Sequence, residues 1–277
     1  MKRLEGRTAV VTGAGSGIGR AVSLALAGAG CHLALADRNE QALAETAERA
    51  MREGRRVSRH VIDVSDRERM QALADDVLSS HGGVEILVNN AGVTAISSFE
   101  DQKLEDFAWL MGINFWGVVY GCKFFLPALR RAEEAHIVNV SSVFGILGVP
   151  MQSSYCASKF AVRGFSESLR AELADTGVGV TSVHPGGIAT NIVKDGRYDG
   201  HGADALRNEL VTTFASRMLS PERAAEIIVS AVRRNAPRAL ITREAHLIDF
   251  VQRVAPSLGA FLTARAYRQT RKRLAGA

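Results

Sequence analysis

Short runs of β-branched and apolar residues alternate with longer helical patterns, and this alternation constrains the fold more than any other feature of the chain. The runs are RTAVVT (7–12), HLALA (32–36), RVSRHVI (56–62), VEILV (84–88), HIVNV (136–140), VGVTSV (178–183) and RALIT (238–242). Between them lie stretches such as NEQALAETAERAMREG and DRERMQALADDVLSSHG, which open on Asn or Asp caps, carry helical periodicity and end at Gly. Repeated strand–helix–strand units join parallel strands through helices that cover both faces. The expected fold is therefore α/β, a doubly wound parallel sheet of about seven strands. No linker divides the chain, so residues 1–243 read as one domain and residues 244–277 as a C-terminal helical extension with a basic end.

In such sheets the ligand lies beyond the carboxyl ends of the strands, which makes the residue after each strand informative. Those residues are Thr12-Gly13, Asp37, Asp63, Asn89-Asn90-Ala91-Gly92, Ser141-Ser142 and Pro185-Gly186. Together they outline one polar rim.

The turn TGAGSGIG (12–19) lies between the first strand and the first helix. Glycines there let the backbone approach a pyrophosphate, and the helix N-terminus offers unpaired amides. The spacing is TGxxxGxG, carried by Thr12, Gly13, Gly17 and Gly19, with Gly15, Ser16 and Ile18 between. In that order with Asn89-Asn90-Ala91-Gly92, Ser142, Tyr155-x-x-x-Lys159 and Pro185-Gly186, it resembles the short-chain dehydrogenase/reductase family. The resemblance spans residues 5 to about 242 and implies a Rossmann-like fold binding a nicotinamide cofactor. It also implies that Asp63, with Val64 beside it, meets the adenine amino group, and that Asn90, Ala91 and Gly92 lie along the adenosine. Ile188 and Thr190, after Pro185 and Gly186, would meet the nicotinamide carboxamide. Asp37 lies 18 residues beyond Gly19, where a carboxylate bonds the adenosine ribose and repels a 2′-phosphate. NAD is expected, with NADP possible because Arg38 stands next in sequence.

Tyr155 and Lys159 are four residues apart in YCASK, which on a helix puts them on one face, about 6 Å apart along the axis. A cation about 4 Å from the phenol, at an effective dielectric of about 20, is worth about 4 kcal/mol, or up to about three pKa units before desolvation. The expectation is that Lys159 pulls Tyr155 down from its free value of about 10 and makes it a general acid/base. Ser142, 13 residues earlier, would donate to the substrate oxygen. Asn114, in the apolar stretch MGINFWGVV, would by resemblance hold a water in a proton relay from Lys159. Cys156 reads as structural, because neighbouring helical residues face different ways. Another class on the same fold is a nucleotide-binding regulatory or scaffold protein without turnover, against which stands the retention of all four catalytic residue types.

Composition excludes several other classes. Three cysteines without CxxC spacing suggest neither disulfides nor a metal site, and a reducing cytoplasm is expected. There is no HExxH, GxSxG or Walker lysine. The net charge of +5 resides in the tail: Arg253, Arg265, Arg268, Arg271, Lys272 and Arg273 face no acidic residue from Val251 onward, leaving 28 basic against 29 acidic residues elsewhere. A nucleic-acid partner is not expected. Leu258, Arg265 and Lys272 recur at sevens, so peripheral contact of the tail with anionic lipid ranks below a cap over the substrate entrance or an oligomer contact. The segment after Pro185-Gly186, residues 187–219, sits where the family carries its substrate lid. The apolar loop VFGILGVPM after Ser142 suggests a hydrophobic alcohol or ketone as substrate. By resemblance, a homodimer or homotetramer assembles through long helices at about 103–130 and 151–175.

Overall fold

A computed structural model describes residues 1–200 and 218–275, together with residues 203, 207, 208 and 212. Seven parallel strands form one sheet: β1 (Thr8–Thr12), β2 (His32–Asp37), β3 (Val57–Val61), β4 (Ile86–Asn89), β6 (Ala135–Val140), β7 (Val178–His184) and β9 (Arg238–Leu240). Two further strands, β5 (Ala95–Ile96) and β8 (Arg197–Tyr198), pair with each other outside it. The sequence pattern did not register these, because two-residue strands carry no period.

The order β3-β2-β1-β4-β6-β7-β9 reverses direction between β1 and β4. That switch point separates the loops leaving adjacent strands and opens a crevice above the strand ends. On one face of the sheet pack α1 (Gly17–Gly28), α2 (Glu40–Met51) and α7 (Pro221–Arg233), around Leu26, Leu33, Leu43 and Ile228. On the other pack α3 (Arg67–His81), α5 (Gly117–Leu129) and α6 (Ser153–Glu172), around Met70, Leu73, Phe125 and Val162. Each fully buried Leu or Phe contributes roughly 1.5–3 kcal/mol of transfer free energy. The caps follow the sequence signals: Asn39 accepts from Ala42 N at 3.0 Å, Asp66 from Arg69 N at 3.0 Å, and Gly82 ends α3 at φ 79°.

The helix expected at about 103–130 arrives in three continuous pieces: α4 (Leu104–Met111), a π segment (Gly112–Trp116) and α5. It is long and apolar enough to cross a membrane by length and composition, but it lies beside α6, with 44% of its apolar window buried. After β9 come α8 (Arg243–Val254) and α9 (Pro256–Ala275). Arg238 on β9 holds Asp249 on α8 at 2.8 Å, which ties the start of the extension to the sheet.

Candidate active site

At the switch point the β1–α1 turn is drawn tight against the β4 loop. Gly13 and Gly17 adopt φ +64° and +50°, and a Cβ on Gly19 would lie 2.0 Å from the Gly13 carbonyl oxygen, so these positions demand glycine. Asn90 fastens the turn, donating through Nδ2 to the carbonyls of Thr12 at 3.0 Å and Gly13 at 3.2 Å. Thr12 Oγ1 accepts from the amides of Asn90 and Ala91. Ser16 precedes α1 with no side-chain cap, and the first turn carries no acidic residue, which leaves helix-start amides directed at the crevice. Asp37 accepts from Gly15 N at 2.8 Å and Asn39 N at 2.9 Å, so its carboxylate stands at the end of the turn. Exposed Arg38 lies beside it. Asp63 turns one oxygen onto Ser65 N at 2.9 Å and Oγ at 2.7 Å.

The opposite end of the same cavity, about 490 Å³ in volume, holds Ser142, Tyr155 and Lys159. Ser142 follows β6, and its hydroxyl accepts from Phe144 N at 3.1 Å, the local turn expected of a serine at a strand end. The same hydroxyl bonds the Tyr155 phenol, while Phe144 meets the tyrosine ring edge-on with centroids 6.2 Å apart. Lys159 is buried; Nζ donates to the Val140 carbonyl at 3.0 Å and lies 5.6 Å from the Tyr155 ring centroid. Ser141 Oγ donates to the Lys159 carbonyl at 2.7 Å and secures α6 from below.

The protonation pattern corrects the expectation that Lys159 pulls Tyr155 down. Burial pushes the phenol up to about 12, although the Ser142 hydroxyl holds it back, and burial brings the Lys159 ammonium down to about 8. Burial is the largest cause for both groups, and the Lys159 ammonium sits below the ring, bonded to a main-chain carbonyl.

Asn114 does not line the cavity. It sits in the π segment, where Oδ1 accepts from Val93 N at 2.8 Å and Nδ2 donates to Val93 O at 3.0 Å and to Ser158 Oγ at 3.1 Å. Ser158 in turn donates to the Tyr155 carbonyl at 2.7 Å, so Asn114 supports the turn of α6 that carries the tyrosine. A Cβ on Gly92 would lie 3.3 Å from Asn114 Oδ1 and 3.4 Å from Lys159 Nζ.

Of the nominated cofactor residues, Thr12 and Gly19 stand behind the wall, where they shape the turn; the others line the cavity. The wall also includes residues that sequence reasoning did not name. Ile62, Val93, Ile113 and Val140 are ordinary core residues by pattern, and Asn191, Ile192 and Asp195 lie in a segment recognised only as a lid. That segment is held at both of its described ends. Ile188 bridges to Leu219, Thr190 packs on Gly17, and β8 pairs with β5. Arg197 in β8 pairs with Asp106 and lies 3.7 Å from the centroid of the Trp109 ring. Much of 201–217 falls outside the described residues. His184 was also missed: it is buried at the end of β7, and nothing in the sequence separates it from a core histidine. Cys156 is buried, its thiol pushed up by burial, and Sγ accepts from Val149 N at 3.4 Å, a structural role as expected.

A family model described as short chain dehydrogenase matches residues 7–199. The chain belongs to the short-chain dehydrogenase family. Among its relatives is a Mycobacterium tuberculosis protein named as an oxidoreductase, SadH, 41% identical over 262 residues covering 93% of this chain and 94% of SadH. The fold superposes on a short-chain dehydrogenase/reductase from Burkholderia phymatum, solved in complex with NAD, with a TM-score of 0.87 and 32% identity, over 93% of this chain and 96% of that one. An alcohol dehydrogenase from the archaeon Thermococcus sibiricus, complexed with 5-hydroxy-NADP, gives 0.73 at 27% identity over 84% and 95%. As a short-chain dehydrogenase the protein is an oxidoreductase on a Rossmann-like fold.

Proposed function

We propose that this short-chain dehydrogenase transfers hydride between a nicotinamide dinucleotide, NAD in preference to NADP, and an apolar secondary alcohol or ketone. The reading is carried by one cavity whose glycine turn and Asp37 lie at one end and whose Ser142–Tyr155–Lys159 cluster lies at the other. The residues fit such a cofactor. Gly13, Gly15 and Gly17 leave room that a Cβ would fill, uncapped amides face the phosphates, and Asp37 offers a carboxylate to a ribose diol and repels a 2′-phosphate. The relative crystallised with NAD supports this preference, and the archaeal one shows that the fold also admits NADP-like molecules.

When bound, the cofactor supplies or accepts the hydride. Tyr155 exchanges the proton with the substrate oxygen and Ser142 donates a hydrogen bond to it, stabilising charge as it develops. Lys159 holds a cation beneath the phenol, and Asn114 keeps the supporting turn of α6 in place, its amide hydrogens spent on Val93 and Ser158 in place of the relay water expected of it. With the phenol pushed up to about 12, Tyr155 rests protonated in the cofactor-free protein, the form that donates to a carbonyl oxygen. The apolar loop through Ile146 and Leu147 after Ser142 supports a hydrophobic substrate. Residues 1–243 form the catalytic unit and 244–277 an appended extension. Exposed Leu104, Trp116 and Phe160 on the long helices support assembly into a homodimer or homotetramer.

Tyr155→Phe tests the reading. With a panel of ketones and alcohols followed by nicotinamide absorbance, turnover should fall by at least about a thousandfold while cofactor still binds. Equal turnover in the variant, or no turnover of any panel member by the native chain, would overturn it.

A further inference from the structure

Of the twelve large hydrophobic side chains exposed among the described residues, six lie between Leu247 and Leu262. Leu247, Phe250 and Val254 recur at helical spacing along α8, and each is more than 60% exposed. Leu258, Phe261 and Leu262 form a second stripe at the start of α9. The inner sides of both helices are already occupied. Ala245 is buried, Asp249 holds Arg238 and Arg253, and a Cβ on Gly259 would meet Gln252 and Leu147. The stripes are thus the outward faces of a docked pair, not a core left open.

Charge identifies what covers them. From Phe250 to the end the chain has six basic residues and no acidic one, and Arg265 and Arg268 are exposed on α9 after the apolar stripe. A two-fold contact through this face would set cations against cations. Nucleic acid would satisfy the arginines and leave six apolar side chains without a partner. An anionic bilayer supplies both an apolar layer and phosphates. The shared face of Leu258, Arg265 and Lys272 is no obstacle: apolar and basic residues are sorted along the axis of α9, and a long arginine side chain lays its stem on apolar surface while its head reaches the phosphates.

We propose that α8 and α9 form a lipid-docking surface, with Leu247, Phe250, Val254, Leu258, Phe261 and Leu262 entering the headgroup boundary of an anionic membrane and Arg265 and Arg268 binding its phosphates. Gly259 abuts Leu147, and α8 touches the short helix Val143–Gly145 after Ser142, so docking brings the substrate end of the cavity to the bilayer. Only this last consequence rests on the apolar-substrate reading; membrane docking stands without it.

The test is co-sedimentation of the full chain with phosphatidylcholine vesicles, with and without phosphatidylglycerol, at low and high salt. The native protein should sediment with the anionic vesicles and much less with neutral ones, and salt should weaken the binding. Phe250→Ser/Phe261→Ser and Arg265→Glu/Arg268→Glu should each lower the bound fraction at least about tenfold. Both should keep the native oligomer mass and the native turnover of a water-soluble substrate. No binding to anionic vesicles, or equal binding by both variants, overturns the proposal. So does loss of the oligomer in Phe250→Ser/Phe261→Ser, which makes the face a contact between copies. Binding of duplex DNA in place of vesicles overturns it as well.

Discussion

His184 Nδ1 stands 3.0 Å from the carbonyl oxygen of Ser142, while its Nε2 stands 3.0 Å from Ser182 Oγ. A neutral ring with the proton on Nδ1 satisfies both contacts, donating to the carbonyl and accepting from the serine. Burial brings the imidazole down to about 4 despite the pull of that carbonyl, so the neutral form holds across the working range. His184 is therefore a positioning residue for Ser142. His184→Leu should lower kcat by roughly ten- to a hundredfold with little change in the Kd for cofactor. His184→Asn, which can still donate to the carbonyl, should restore part of the loss. Steady-state kinetics beside cofactor titration separate this outcome from general unfolding.

Lys159 gives the chain a pH signature in the absence of cofactor. Its ammonium titrates at about 8 in the folded protein against 10.5 when unfolded, so between those values the unfolded chain binds more protons and stability rises with pH. The difference is on the order of 3 kcal/mol, fully present above 10.5 and lost as pH falls through 8. Tyr155, raised to about 12, works in the opposite direction above 10. Thermal melts from pH 7 to 9, below the range in which the buried thiols of Cys31 and Cys122, raised from 9.0 to about 12, lower the stability, should show the rise in the native chain and a flatter profile in Lys159→Met.

Two glycines of α1 should respond in opposite ways to alanine. At Gly19 the added methyl would press on the Gly13 carbonyl and the Asn90 side chain, so Gly19→Ala should cost about 1–3 kcal/mol and weaken cofactor binding. At Gly28 a Cβ meets nothing within 4 Å, and Gly28→Ala should stabilise by about 0.5–1 kcal/mol. Denaturant melts of the two variants decide the matter.

The proposed preference for NAD rests on Asp37. Asp37→Asn removes the charge but keeps an oxygen to accept from the Gly15 or Asn39 amide. With exposed Arg38 alongside, kcat/KM with NADP relative to NAD should rise at least about tenfold. An unchanged ratio would place the discrimination elsewhere.

Much of this protein is legible without coordinates. The sheet is announced by β-branched runs, and the crevice by the polar residue that ends each one, because in a parallel sheet those ends gather on one edge. Residues that act through side-chain chemistry, such as Ser142, Tyr155 and Asp37, carry recognisable types at recognisable spacings. Residues that act through packing do not. Val93 and Ile113 line the cavity yet look like any core position, and His184 looks like any buried histidine. The direction in which Tyr155 titrates was also out of reach, because spacing places Lys159 on the same helical face but says nothing of how deeply both are buried.

The π segment at Gly112–Trp116 carries one more residue per turn than the α-helix around it, and so slips the helical phase by roughly 100°. Asp106 and Trp109, which hold Arg197 of the lid, lie ahead of the slip, and Asn114 lies within it. Removing a single residue there would let the helix relax to regular α geometry with Asp106 and Trp109 still facing Arg197, but would close the widened turn from which Asn114 reaches Val93 and Ser158. The floor beneath Tyr155 thus hangs on one extra residue while the anchor of Arg197 does not, so the two can be separated by shortening this helix at the π turn alone.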